Sequence, residues 1–250
     1  MNPPIDIREE AGVRYLHFGS EWVQGAMRIA RPWHLELAYT QEMMAGLLFH
    51  EAPWPRRVLL IGLGAASLTR FLHKYYPSSH LDIVEISPAV VAAAKQFFKL
   101  PPPNPNVSIH IADGAQFVLE TNQKYDLILV DGFDEHARAG ALDTAPFYLA
   151  CRARLSEQGL MSVNLFGRSR GFANSIERIL KVFDDRAIAF PSSDSGNVIA
   201  HANAGELIEI SMPLLRKRAL TLKTNTGLDL NPCLSRLEAA GSLPGQILRL

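Results

Sequence analysis

Four acidic residues fall just where short apolar runs of this chain end: Glu85 after L-D-I-V, Asp113 after I-H-I-A, and Asp131 with Asp134 after L-I-L-V. A fourth apolar run, V-L-L-I, ends instead in Gly62-Leu63-Gly64. Glycines at such a point allow a tight turn and close backbone approach by a ligand. Glu85 follows Gly62 by 23 residues, near the spacing at which an acid meets a ribose. Its two oxygens match the paired donors of a vicinal diol. That much suits a nicotinamide dinucleotide as well as an S-adenosyl nucleoside. Asp113-Gly114 could accept from an adenine amino group while the glycine leaves room for the ring. Asp131 and Asp134 put negative charge at the far end of the ligand, where a sulfonium or ammonium gains from it and a pyrophosphate does not. Each acid also has a plain structural use, as a helix N-cap or a turn residue.

These residues need a scaffold that gathers strand ends at one edge. Runs at 58–61, 81–86, 107–111, 127–130 and 159–165 read as strands, and helical stretches lie between them. That alternation predicts an α/β fold with a doubly wound, mostly parallel seven-stranded sheet, closed by strands at 187–190 and 197–202. Ser67 opens a helix after the glycines, and Pro88 stands at a favoured first helical position. Ahead of the sheet, alternating patterns at 13–18 and 21–29 flank Gly19-Ser20 and predict a β-hairpin; residues 1–10 read as a loose lead-in. Apolar spacing over 35–50 predicts one amphipathic helix. Residues 1–54 are therefore expected to form a small N-terminal unit and 55–250 a nucleoside-binding catalytic domain.

Composition narrows the function. Lys plus Arg and Asp plus Glu each number 25 among the 250 residues, so no global field recruits nucleic acid or an acidic membrane. No uncharged run is long enough to span a bilayer. Cys151 and Cys233 read as reduced core thiols of a cytoplasmic protein. The eight histidines show no metal-ligand spacing, and no metal is expected. Trp22, Trp33 and Trp54 read as packing residues of the N-terminal unit, and His136 as a solvated loop histidine.

Taken together, V-Q-G-A-M-R-I-A-R-P, L-A-Y-T-Q-E-M-M, V-L-L-I-G-L-G, I-V-E-I-S-P, I-A-D-G-A-Q-F-V, Y-D-L-I-L-V-D-G-F-D and F-P-S-S-D-S-G-N resemble the spermidine synthase (polyamine aminopropyltransferase) family. The resemblance implies a methyltransferase-like Rossmann fold, and transfer of an aminopropyl group from decarboxylated S-adenosylmethionine to a diamine such as putrescine. It implies that Glu85 holds the ribose and that Asp113-Gly114 meets the adenine beside the Gly62 and Gly64 corner. It further implies that Asp131 orients the attacking amine and takes its proton. Asp134 would help bind the diamine, Gln24 touch the donor's arm and Tyr39 line the amine channel. Family members are often dimers or tetramers, which the N-terminal hairpin could support, and a homodimer is the expectation here. Two departures bear on substrate choice. Ala65 replaces the corner aspartate that holds the donor's ammonium, which leaves ordinary S-adenosylmethionine as an alternative donor. Phe133 and Glu135 alter the D-x-x-D surroundings. A methyltransferase and an idle nucleoside-binding homologue therefore stand as alternatives.

Overall fold

The computed structural model describes residues 4–133, 138–167, 171–191, 196–241 and 243–250. Strands β1 (Ile5–Glu10), β2 (Val13–Phe18) and β3 (Val23–Arg28) form an antiparallel sheet in that order. The expected lead-in is thus a strand, and the expected hairpin gains a third member. Ala11 and Gly12 both have positive φ, 49° and 76°, the mirror-image turn that suits a two-residue hairpin loop. The expected helix over 35–50 is two pieces, α1 (Ala38–Met43) and a 3₁₀ turn at Met44–Leu48. Gly46 lies within that 3₁₀ turn, and a Cβ there would stand 2.4 Å from the Leu160 side chain.

The main body alternates β4 (Arg57–Ile61), α2 (Ser67–Tyr75), β5 (His80–Glu85), α3 (Pro88–Phe97), β6 (Val107–Ile111), α4 (Gly114–Glu120) and β7 (Tyr125–Val130). It continues through α5 (Ala145–Arg154), β8 (Leu155–Phe166), α6 (Phe172–Val182), β9 (Ala187–Phe190) and β10 (Asn197–Asn203). A small ribbon of β11 (Glu209–Ser211) and β12 (Ile247–Arg249) brackets α7 (Met212–Thr226) and α8 (Asn231–Ala239). The seven-stranded sheet runs β6-β5-β4-β7-β8-β10-β9. Neighbours from β6 to β8 are parallel, and β10 is antiparallel to both β8 and β9.

Burial on both faces explains why β4 reads as a continuous apolar run. Val58 and Leu60 join the core that also takes in α1, α2, α3, α7 and α8, whereas Leu59 and Ile61 join the core beneath α4, α5 and α6. Cys151 and Cys233 are buried free thiols. Among the described residues no helix is long and apolar enough to cross a membrane. The strand order reverses between β4 and β7, so the carboxyl ends of these two strands open a crevice.

Candidate active site

Gly62 and Asp131 face each other across that crevice, the residues that follow the paired Ile61 and Val130. The Asp131 amide donates to the Ile61 carbonyl at 2.8 Å, and the Gly62 amide to the Val84 carbonyl at 2.9 Å. Gly62 has a φ of +95°, and a Cβ on it would stand 2.1 Å from the Asp131 carbonyl oxygen. Its glycine identity is therefore demanded by the neighbouring strand rather than by a ligand. Gly64 is also left-handed, at +48°, and only the Gln24 carbonyl comes near its open side.

Glu85 is buried at the end of β5 and closes one side of the crevice. Its Oε2 accepts from the Leu63 amide at 3.0 Å and its Oε1 from the Ser87 amide at 2.9 Å. The carboxylate thus pins the glycine corner while each oxygen keeps a lone pair for a ligand hydroxyl. Asp113 does what a strand-end acid most simply does: its Oδ1 caps α4 by accepting from the Gln116 amide at 3.0 Å. Gly114 leaves space that Ile61 fills, since a Cβ would stand 2.4 Å from the Ile61 Cγ2. Both residues still line the cavity.

Asp131 lies on the opposite side. Asn164, buried in β8, donates its Nδ2 to Asp131 Oδ1 at 2.8 Å, and Asn197 donates to Asn164 Oδ1 at 2.9 Å. The buried Tyr39 hydroxyl, from α1, lies beside the carboxylate and favours its charged form. Desolvation raises the Asp131 pKa, and the bonds from Asn164 and Tyr39 oppose that rise. Tyr39 is raised well above an ordinary phenol, first by burial and then by the adjacent Asp131 charge. It stays a protonated donor at neutral pH.

A single cavity of about 610 Å³ joins these parts. Gln24, Tyr39, Gly62, Gly64, Glu85, Asp113, Gly114 and Asp131 all line it, as do Ala65, Trp22, Asn164 and Phe166. Asp134, Glu135 and His136 lie outside the described residues. Three carboxylates and one guanidinium, that of Arg138, line the cavity among the described residues. The same residues hold no group of three His, Cys, Asp or Glu side chains placed for a metal ion.

Residues 36–165 match the model of the spermine/spermidine synthase domain. The chain is 36% identical to a polyamine aminopropyltransferase of Neisseria meningitidis, over 99% of this chain and 94% of that protein. It is 37% identical to one of Chromobacterium violaceum, over 94% and 90%. A crystal structure of a probable spermidine synthase from Corynebacterium glutamicum shares the fold, with a TM-score of 0.72 at 18% identity over 90% of this chain and 91% of that one.

The chain belongs to the spermine/spermidine synthase family.

Seen as a member of that family, the chain brings to the cavity three residues to which its sequence reading gave no site role. Asn164 and Asn197 form the amide chain behind Asp131. An asparagine inside the mostly apolar run M-S-V-N-L-F was the available signal, since a buried amide needs partners. Trp22, expected as a packing residue, is instead 53% exposed at the cavity wall, edge-on to Phe166 with ring centroids 5.4 Å apart.

Proposed function

We propose that this enzyme transfers an aminopropyl group from decarboxylated S-adenosylmethionine to a small diamine such as putrescine. The observation that carries the reading is the placing of Asp131, held by Asn164 and neighboured by Tyr39, in the same cavity as the Glu85-clamped glycine corner. A volume of about 610 Å³ suits a nucleoside with its arm plus a short amine. Gly62, Gly64 and Glu85 would hold the sugar side of the donor, and Asp113 with Gly114 the adenine side. Gln24, beside Ala65, would meet the arm.

When bound, the donor supplies a carbon made electrophilic by its sulfonium sulfur. The acceptor nitrogen forms a bond to that carbon, the carbon–sulfur bond breaks, and its electron pair stays on sulfur as a neutral thioether. Asp131 takes the proton that the nitrogen must lose and aims its lone pair. A carboxylate raised by desolvation is the better base for this task, because its proton affinity moves toward that of an amine. Tyr39, beside Asp131, favours its charged form and lines the channel. The acceptor enters past Trp22 and Phe166, whose ring faces favour a cation. Small-molecule partners, a cytoplasmic setting and a homodimer through the open β1 edge complete the reading.

The test is turnover of decarboxylated S-adenosylmethionine with putrescine, followed as release of methylthioadenosine. Asp131→Asn should lower kcat by about 10²–10⁴-fold, the usual worth of a positioned base, and leave methylthioadenosine affinity within a few-fold. Methyl transfer from ordinary S-adenosylmethionine, or full activity in the variant, would overturn the assignment.

A further inference from the structure

We propose that Asn164 is a positioning residue for Asp131, and that Asn197 fixes the orientation of the Asn164 amide so that its NH₂ faces the carboxylate. The inference rests on the reading of Asp131 as the proton acceptor. Three strands contribute one side chain each: β7 leads into Asp131, β8 carries Asn164 and β10 begins with Asn197. Asn164 is paired with Ile199 and Asn197 with Phe166, so the two amides meet diagonally across the antiparallel pair.

An isolated amide can present either end. Here Asn197 Nδ2 donates to Asn164 Oδ1 at 2.9 Å, which leaves only Asn164 Nδ2 for Asp131 Oδ1, at 2.8 Å. A flipped Asn164 would oppose oxygen to oxygen at Asp131 and NH₂ to NH₂ at Asn197. Two unfavourable contacts would replace two hydrogen bonds, one of them to a charged group. Asn164 is 4% exposed, so bulk solvent does little to compensate a lost partner. The relay has two consequences. It occupies Oδ1 and leaves the lone pairs not bonded to Asn164 or Tyr39 for the reacting amine. It also favours the ionised form of Asp131 against the desolvation that opposes it.

The other groups facing Asp131 are few among the described residues. Tyr39 comes from α1, while Glu85, Asp113 and Arg138 line the same cavity from the ends of β5 and β6 and from the segment before α5. The parts of β8 and β10 that reach this site offer the two amides and no charge.

The experiment is a pH titration of the Asp131 carboxyl carbon by NMR on the whole protein, the resonance being assigned by its loss in Asp131→Asn. Asn164→Leu keeps the side-chain volume and removes the donor; the Asp131 midpoint should move to higher pH. Asn197→Asp can only accept, so it should force the Asn164 amide to turn and move the midpoint upward as well. Asn197→Ala frees the amide without forcing it and should move the midpoint less. In the Asn164→Leu background, Asn197→Asp should add only a small part of the shift it causes alone. Equal shifts in both backgrounds would mean a through-space charge effect and would overturn the relay, as would an unmoved midpoint in Asn164→Leu. If Asn164→Leu does not fold, Asn164→Ala carries the same expectation. In turnover, Asn164→Leu should lower kcat about tenfold, the loss of one charge-assisted hydrogen bond, with KM for the donor unchanged and the acidic limb of the rate profile displaced upward. The titration needs no turnover. A wild type inactive on every amine would therefore refute the function and spare the relay, whereas an active wild type with unmoved midpoints would do the reverse.

Discussion

Replacing Glu85 by glutamine changes one atom of a side chain that serves two partners at once. The carboxylate accepts from the Leu63 amide at 3.0 Å and from the Ser87 amide at 2.9 Å. Glutamine has one oxygen, so one of these amides must face an NH₂ group. The loss is one hydrogen bond to a charged acceptor in a buried place, about 1.5–3 kcal/mol. That loss appears as stability, at roughly 2–4 °C of Tm per kcal/mol for a chain of this size. A separate loss of similar size is expected in binding, because the ribose hydroxyls would lose an anionic acceptor and the corner its pin. Calorimetric titration with methylthioadenosine should show affinity falling about 10- to 150-fold, the equivalent of about 1.4–3 kcal/mol. Asp113→Asn is the companion measurement. Asparagine caps a helix as well as aspartate does, so α4 should keep its stability and any loss of affinity reports the adenine contact. Unchanged nucleoside affinity in folded Glu85→Gln would refute the view that this carboxylate faces the ligand. A lowered Tm alone would leave it a purely structural clamp.

Gly62→Ala should be the most damaging small substitution at the crevice. A Cβ there would stand 2.1 Å from the Asp131 carbonyl oxygen at a φ of +95°, so strands β4 and β7 must part, at about 3 kcal/mol or more. Gly64→Ala meets nothing closer than 3.3 Å and should cost about 1–2 kcal/mol. Urea midpoints that reversed this order would refute the packing argument. Glu42 supplies a pH test. Burial raises its pKa from 4.5 to about 7 despite the Arg236 ion pair, so the folded state binds the proton more tightly than the unfolded one. Stability should then fall, on this account, by about 3 kcal/mol as pH rises from about 4.5 to about 7. Glu42→Gln should remove that part of the slope in urea titrations at pH 5 and pH 8; an identical slope in the variant would count against it.

The catalytic body was legible because its strands are buried on both faces and therefore read as unbroken apolar runs ending in glycine or acid. Val58–Ile61, Ile83–Glu85 and Leu127–Val130 each announce a strand and a position at the same edge. What escaped has physical reasons too. I-D-I-R-E-E, now β1, has few buried positions, and its pairing depends on a two-residue Ala-Gly turn. The helix over 35–50 gives way to a 3₁₀ turn in which Gly46 passes against Leu160, a contact that apolar spacing does not encode. Asn164 and Asn197 meet only through β8–β10 register. Arg236 finds Glu42 across 194 positions of sequence, and only the docking of α8 on α1 brings them together. Asp113 was readable in both of its uses, and the cap is the one the backbone realises.

The packing at one wall of the cavity has a consequence for reshaping this enzyme. Gly25, from β3, lies so close to the loop after β4 that a Cβ on it would stand 2.6 Å from the Ala65 Cβ. Arg70 holds that loop from below through the carbonyls of Ala65, Pro32 and Phe98. The room available to a ligand's tail is therefore set jointly by two stretches forty positions apart. A library that varies position 65 alone explores a gap whose lid is fixed, while one that also loosens the turn before β3 can widen it.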